Sequence, residues 1–258
     1  MMSRRLVDLL PPLAFGLAVL AIWETGVRLL NVPAIILPPP SAIALRFGAS
    51  IPTLAADFRQ TIQGVLAGYV IGSLAGFVVA ILIDRSEFLQ RGLMPIGNLV
   101  SALPIVGVAP IMVMWFGFDW QSKAAVVVVM TFFPMLVNAT VGLAGAGPME
   151  RDLMMTYAAD YSQTLRMLRL PAAAPFVFNA LKINTTLAMI GAIVAEFFGT
   201  PTVGMGFRIS TEVGHLSIDM VWATIVVAAL TGSAFYALVA LIERRVTFWH
   251  ASYRMREN

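Results

Sequence analysis

An all-α integral membrane protein of about six transmembrane helices is what this 258-residue sequence predicts, and three observations predict it. Hydrophobic residues make up 59% of the chain and charged residues only 12%, with a mean hydropathy of +0.84. A water-soluble domain carries about twice that charge. The uncharged runs Gln60–Ile83, Gly92–Phe118, Ala124–Met149 and Met220–Ile242 each exceed the ~18 residues that mark a membrane-spanning helix. The cations gather in alternate connecting segments, as the positive-inside rule requires of a chain that crosses a bilayer repeatedly.

The same composition excludes several function classes. Too few charges remain to coat a water-facing or nucleic-acid-binding surface, despite a pI near 9.6. Cysteine is absent, so disulfide scaffolds, zinc-thiolate sites, iron–sulfur clusters and thiol catalysis fall away. Histidine occurs only at His215 and His250, leaving a metal-dependent intramembrane protease almost no ligands. No metal and no cofactor is therefore expected. Six spans consume most of the chain, so residues 1–258 are expected to form a single transmembrane domain.

In order, the spans are expected at about 9–30, 60–83, 92–117, 124–147, 175–198 and 220–242. The first follows Arg4 and Arg5 as a signal peptide would, but its length to Leu30 and the lack of a small-residue cleavage site favour a retained helix. After it, Leu37-Pro38-Pro39-Pro40 cannot propagate a helix. Ser41 is placed to cap a short interfacial helix through about Phe58. The fifth span is interrupted only by Lys182 and Glu196.

Six spans put both termini on one side. That side holds Arg4, Arg5, Arg85, Arg91, Arg151, Arg166, Arg169, Arg244, Arg245, Arg254 and Arg256, against Arg28, Arg46, Arg59, Lys123 and Arg208 opposite. Both termini are expected in the cytoplasm.

Gly64, Gly68, Gly72 and Gly76 recur every four residues and share one helix face, where another backbone can approach closely. The face packs tightly or slides during a conformational change. Pro104 and Pro110, with Pro95, Gly97 and Gly107, break the third span, and Pro134 breaks the fourth. Broken helices are tolerated where they are buried or line a watery path, so spans three to five are the candidate pathway. Asn138, Asn184, Thr185 and Thr186 are polar groups within spans, suited to interhelical bonds or to a solute. Lys182 and Glu196 lie about 21 Å apart along one helix and cannot pair. Lys182 can snorkel to the headgroups, and Glu196 reads either as an interfacial anchor or as an outer gate. Glu24 reads as an anchor, and His215 as a surface residue.

The inner loop at about 148–174 contains neither glycine nor proline between Glu150 and Leu170, which permits two short helices. Tyr157, Tyr161 and Leu165 recur at i, i+4, i+8 as an apolar stripe, among Glu150, Arg151, Asp152, Asp160, Arg166 and Arg169. Such an element docks in the groove of a soluble partner or lies on the membrane surface.

In this loop the chain resembles the inner-membrane permease subunits of binding-protein-dependent ABC importers. Their signature is Glu-Ala-Ala, three residues, Gly, about nine residues, then Ile-x-Leu-Pro. Anchored on Leu170-Pro171, it places Leu168 at the isoleucine, Ala158 at the glycine, Asp152 at the acidic position, and Leu153 and Met154 at the alanines. The run Pro171-Ala172-Ala173-Ala174-Pro175, the Ile36-Leu37-Pro38-Pro39-Pro40-Ser41 run and Ala195-Glu196 are similar to the nitrate/sulfonate/taurine-type branch. The resemblance covers almost the whole chain and departs from the signature at Ala158 and at both alanines.

The resemblance implies a type I ABC importer permease in a bacterial inner membrane. It implies pairing with a second copy or a paralogous permease, a translocation path between the two, a cytoplasmic ABC ATPase dimer seated on the loop, and a periplasmic or lipid-anchored solute-binding protein on the outer face. Asp152, Leu153, Met154, Tyr157, Ala158, Tyr161, Leu165, Arg166, Leu170 and Pro171 would form the ATPase-coupling loop. Pro104, Pro110, Asn138, Asn184 and Glu196 are the pathway or gate candidates. The chain has no Gly-x-x-x-x-Gly-Lys-Ser/Thr loop, so a partner would hydrolyse the ATP. Residues Glu196–Phe207 are similar to members that take up thiamine-pyrimidine precursors or riboflavin; sulfonate, taurine or nitrate import by the same machinery is the alternative. An ion-coupled carrier would need intramembrane ion sites, for which only Lys182 and Glu196 offer themselves. An intramembrane enzyme lacks any assembled nucleophile or carboxylate pair.

Overall fold

Pro52 near the start of a helix and the largely glycine-and-aliphatic run from Gly64 to Ile83 generate the longest described element, which runs from Ile51 to Asp84. A computed structural model describes residues 2–86, 88–89, 91–92, 95, 104–199 and 202–248, and every element among them is helical. In chain order they are α1 (Met2–Leu29), α2 (Pro40–Ala49), α3 (Ile51–Asp84), α4 (Ile105–Phe116), α5 (Trp120–Ala144) and α6 (Pro148–Thr156). A single turn, α7 (Tyr161–Thr164), then passes through a π-helical stretch (Leu165–Arg169) into α8 (Leu170–Phe198), followed by α9 (Met205–Gly214) and α10 (Ile218–Val246). Gly97, Thr200, Pro201, Trp249 and His250 lie outside the described residues.

Among the described residues, five stretches are long and apolar enough to span a bilayer: the helix to Leu29, α3, α5, the α7–α8 unit and α10. Of the expected third span, the described residues include α4, whose 12 residues follow Pro104 as N-cap, while residues 93–94 and 96–103 lie outside the described residues. Several boundaries differ from the sequence reading. The interfacial helix ends at Ala49, because Ser50 breaks the chain and the next residues already belong to α3. Its N-cap is Pro39; Ser41 lies in the first turn, where its N–H and hydroxyl donate to the carboxylate of Glu24 on α1. α8 begins at Leu170 rather than 175, with Pro171 directly after the π-helical stretch Leu165–Arg169, the kind of local adjustment that accommodates a proline in a continuing helix.

α3, α5 and α8 form the centre. α3 and α5 run in parallel with their backbones almost touching along the glycine face. A Cβ on Gly68 would stand 2.6 Å from Ala124 O, on Gly72 2.8 Å from Val128 O, and on Gly76 2.4 Å from Phe132 O. α8 crosses antiparallel to α5, with Gly142 against Ala173 and Gly191 against Met130. Asn184 fastens all three: its Nδ2 donates to Ser73 Oγ on α3 at 2.9 Å and to Thr131 O on α5 at 2.8 Å, in the turn ahead of Pro134. That bond is of the kind by which a neighbouring helix serves carbonyls near a proline in a membrane. α1 stands apart, exposing Leu13, Phe15, Leu17 and Ile22, and meets the bundle near its end, where Trp23 packs edge-on against Trp222 of α10 at 5.0 Å.

Candidate functional site

Functional side chains collect at the two ends of the bundle. At one end, α6 hangs below α5 on the segment Gly145–Gly147, with Gly147 as N-cap and Glu150 in the first turn, where the helix dipole favours an anion. None of its residues is buried, and Met149, Leu153, Met155 and Tyr157 are all exposed. Asp152 is exposed, Met154 half-buried, and the Arg151 guanidinium donates to Ala144 O.

α6 stops in a Schellman turn. Ala158 N–H bonds to Met155 O at 2.9 Å and Ala159 N–H to Met154 O at 3.0 Å, with Ala158 at φ 50°. The signature's glycine position thus holds the left-handed conformation that favours glycine. Asp160 opens the next helix with a capping box, accepting from Gln163 N at 2.7 Å while Gln163 Oε1 accepts from Asp160 N at 2.9 Å. Asp160-x-x-Gln163 carries this signal in the sequence, where the residue reads only as part of a charged rim.

Because the chain turns at 157–160, Tyr157, Tyr161 and Leu165 do not form one stripe. Tyr157 projects outward at 77% exposure. Tyr161 turns inward, its hydroxyl donating to Asp84 Oδ2 at 3.0 Å. Leu165 and Leu170 pack on the core around Ile83 and Leu143. Arg166 is exposed, and Pro171 sits in the first turn of α8.

At the opposite end lies a buried polar cluster centred on the start of α9. Gly204 N–H donates to Asp57 Oδ1 at 2.9 Å, Met205 N–H to Thr61 Oγ1 at 2.9 Å and Gly206 N–H to Glu196 Oε2 at 2.6 Å. Thr61 Oγ1 in turn donates to Glu196 Oε1 at 2.8 Å. The missing side chains are required here: a Cβ would stand 2.8 Å from the Glu196 carboxyl at Gly204, and 2.3 Å from Ile193 O at Gly206. Arg208 Nε pairs with Asp57 Oδ2 at 2.8 Å, and that hydrogen-bonded pairing holds the guanidinium pKa above its ordinary value.

Lys123 is fully enclosed, its ammonium donating to Phe118 O and to Gly199 O, the latter at 2.6 Å. Just ahead of it, Asp119 caps α5 and accepts from Gln60; those two hydrogen bonds hold its pKa below the ordinary range.

The structure corrects three readings. Glu196 is not a headgroup anchor, since it is buried and its oxygens are occupied. Lys123 is not a surface cation of an outer loop. Lys182 does not snorkel to headgroups but pairs with Glu243 of α10 at 2.7 Å. Glu24 binds Arg28 as well as Ser41. Asp57, Thr61, Lys123, Arg208 and Glu243 escape a reading of uncharged runs, because each is matched to a partner distant in sequence.

The pathway candidates are not gathered at one place. Asn184 and Glu196 stand about 18 Å apart on α8. Asn138 donates to Pro134 O at 2.8 Å and accepts from Asn179 at 3.3 Å, an amide pair on an exposed part of the α5–α8 surface. Pro104 is exposed and Pro110 half-buried.

Residues 68–248 match the family described as the binding-protein-dependent transport system inner membrane component. The riboflavin transport system permease protein RibX of Chloroflexus aurantiacus is 29% identical over 235 residues, covering 90% of this chain and 87% of that one. The formylaminopyrimidine transport permease protein ThiX of Halalkalibacterium halodurans is 29% identical over 247 residues, 95% of this chain and 98% of its own. The putative aliphatic sulfonates transport permease protein SsuC of Bacillus subtilis is 28% identical over 237 residues, 91% and 86% respectively. The solved structure of an amino acid ABC transporter with histidines shares the fold with a TM-score of 0.60 at 16% identity, over 78% of this chain and 97% of that one.

Proposed function

The chain belongs to the binding-protein-dependent transport system inner membrane component family of ABC importer permeases, and on that premise we propose that two copies enclose a path for a neutral aromatic heterocycle of the pyrimidine or flavin type. The loop end faces the cytoplasm with both termini, in line with the eleven arginines assigned to that side. A separate ATPase subunit seats on α6, and a solute-binding protein delivers cargo to the end that carries α9.

The observation that carries this reading is the outward face of α6. Met149, Leu153, Met155 and Tyr157 are exposed apolar side chains on a short helix with no buried residue, next to Asp152 and Arg166. Apolar anchors within a charged rim are the composition of a docking surface. The Asn138–Asn179 pair supports the path, since amides at an exposed place on spanning helices suit a polar conduit or a partner better than lipid. The choice of a neutral solute is supported by the state of the two lysines. Lys123 is held by backbone carbonyls and Lys182 by Glu243, so neither is free to receive an anion. Sequence similarity to RibX and ThiX points the same way.

Purification of the chain together with its ATPase subunit tests the assignment. The Leu153→Ala/Tyr157→Ala pair should lose the ATPase subunit while keeping the thermal stability of the membrane domain. Retained association, or full transport through vesicles without an ATPase, would overturn it. For the solute, the cognate binding protein should be stabilised against heat by riboflavin or a formylaminopyrimidine. Stabilisation by a sulfonate or nitrate instead would replace the heterocycle with an anion.

A further inference from the structure

The two attachments of α6 to the bundle differ in stiffness. Toward α5 it is joined through Gly145-Ala146-Gly147, with one side-chain bond from Arg151 to Ala144 O. Toward α8 it passes through the Schellman turn and the capping box to Tyr161, and there the chain is clamped. The Tyr161 hydroxyl and the Arg169 guanidinium both donate to Asp84 Oδ2, at the last residue of α3. The guanidinium carbons of Arg85 and Arg169 lie 5.5 and 5.9 Å from the Tyr161 ring centroid, within cation–π reach. Leu165 then enters the core beside Ala80 and Ile83 of α3 and Leu143 of α5.

One carboxylate therefore ties the end of α3, the start of α7 and the π-helical turn into a single unit. α3 is in turn locked to α5 along the glycine face. The geometry points to Tyr161 and Asp84 as positioning residues: they make α6 and α3 move as one body, so that a displacement of α6 enters the bundle through the clamp on α3 rather than through the glycine segment that joins α6 to α5. This rests on the permease reading above.

The chain has no cysteine, so a Leu74→Cys/Met155→Cys pair can be spin-labelled cleanly; both positions are exposed, one on α3 and one on α6. The doubly labelled chain is diluted with an excess of unlabelled chain, so that each two-copy assembly holds one labelled pair, and the distance distribution is read in lipid nanodiscs for the chain alone, and for its complex with the ATPase subunit with and without ATP plus vanadate. The expected result is one narrow distance, unmoved by ATP and vanadate. With Tyr161→Phe or Asp84→Asn the single peak should be lost, and ATP with vanadate should then shift the distance, whereas Asp84→Glu should restore the narrow peak. Tyr161→Phe removes one hydroxyl and keeps the test open where Asp84→Asn does not fold. Unchanged distributions in both variants, or a shift with nucleotide in the unmodified clamp, would overturn the inference. Failure of any ATPase subunit to bind would count against the permease reading alone, because the nucleotide-free distributions still report on the clamp.

Discussion

Glu196 accepts the N–H of Gly206 at 2.6 Å, so the last turn of α8 caps the first turn of α9 across ten residues of chain. Its other oxygen takes the Thr61 hydroxyl, which itself receives the N–H of Met205. A glutamine can fill the same places. Its oxygen would accept from Gly206, its NH2 would donate to Thr61, and the Thr61 hydroxyl would turn to Asp57 O, already 3.1 Å away. Glu196→Gln should therefore keep the fold and assembly while removing the charge that faces Lys123. Glu196→Ala leaves the Gly206 N–H buried and unpaired, at about 1–3 kcal/mol. Thermal unfolding in detergent checks the pair. Equal losses in the two variants would show that the charge, and not the hydrogen bonding, holds α9. Transport by Glu196→Gln then reads whether the charge serves the gate.

Along the α3–α5 contact, Gly72 is one of three glycines, with Gly68 and Gly76, at which an added Cβ would come within 3 Å of the α5 backbone. A Cβ there would stand 2.2 Å from Thr131 Oγ1 and within 2.9 Å of Val128 backbone atoms, and the backbone cannot step aside. Gly72→Val should force the helices apart and destabilise the domain by at least the ~1–3 kcal/mol of ordinary overpacking. Gly26→Ala on α1 meets nothing within 4 Å and should be neutral or slightly stabilising. Melting temperatures of both variants in one detergent separate the effect of the contact from that of helix propensity.

What the sequence makes legible follows from what is local. The four-residue glycine spacing shows on its own which face of α3 meets a backbone, and the signature's register shows that Ala158 stands at a turn. The start of α3 is not legible in this way. Asp57 and Arg59 end the uncharged run, yet Asp57 lies inside the helix because Arg208, 151 residues away, neutralises it. Lys123 reads as an outer-loop cation for the same reason, its two carbonyl partners being set by tertiary structure. The apolar stripe at Tyr157, Tyr161 and Leu165 fails differently: its period crosses a turn that the signature itself marks.

The Lys182–Glu243 pair gives a prediction about cost rather than geometry. Both side chains are largely buried between α8 and α10, at 19% and 9% exposure. Removing one partner leaves a buried charge, so Lys182→Met or Glu243→Gln alone should destabilise by about 3–5 kcal/mol. The double variant removes both charges and should recover most of that loss, because a buried pair contributes little net stability beyond its desolvation penalty. A double-mutant cycle of thermal stabilities measures the coupling. Additive losses would mean that the two groups are solvated independently.

Ala158 supplies the last prediction. At φ 50° its Cβ crowds the carbonyl, a conformation that costs an L-residue about 1–2 kcal/mol. Glycine removes that strain but loses about 0.5–1 kcal/mol more backbone entropy on folding. The balance favours Ala158→Gly by about 0.5–1 kcal/mol, a two- to fivefold change in the local opening equilibrium. The amide to watch is Ala159, whose N–H closes the Schellman turn on Met154 O at 3.0 Å. Its hydrogen exchange should slow by that factor in Ala158→Gly and quicken in Ala158→Val, where a β-branched residue is forced into the same region. Faster exchange in the glycine variant would mean that unfolded-chain entropy outweighs strain at this turn. ATPase capture should stay unchanged in Ala158→Gly, since the exposed side chains of α6 keep their places.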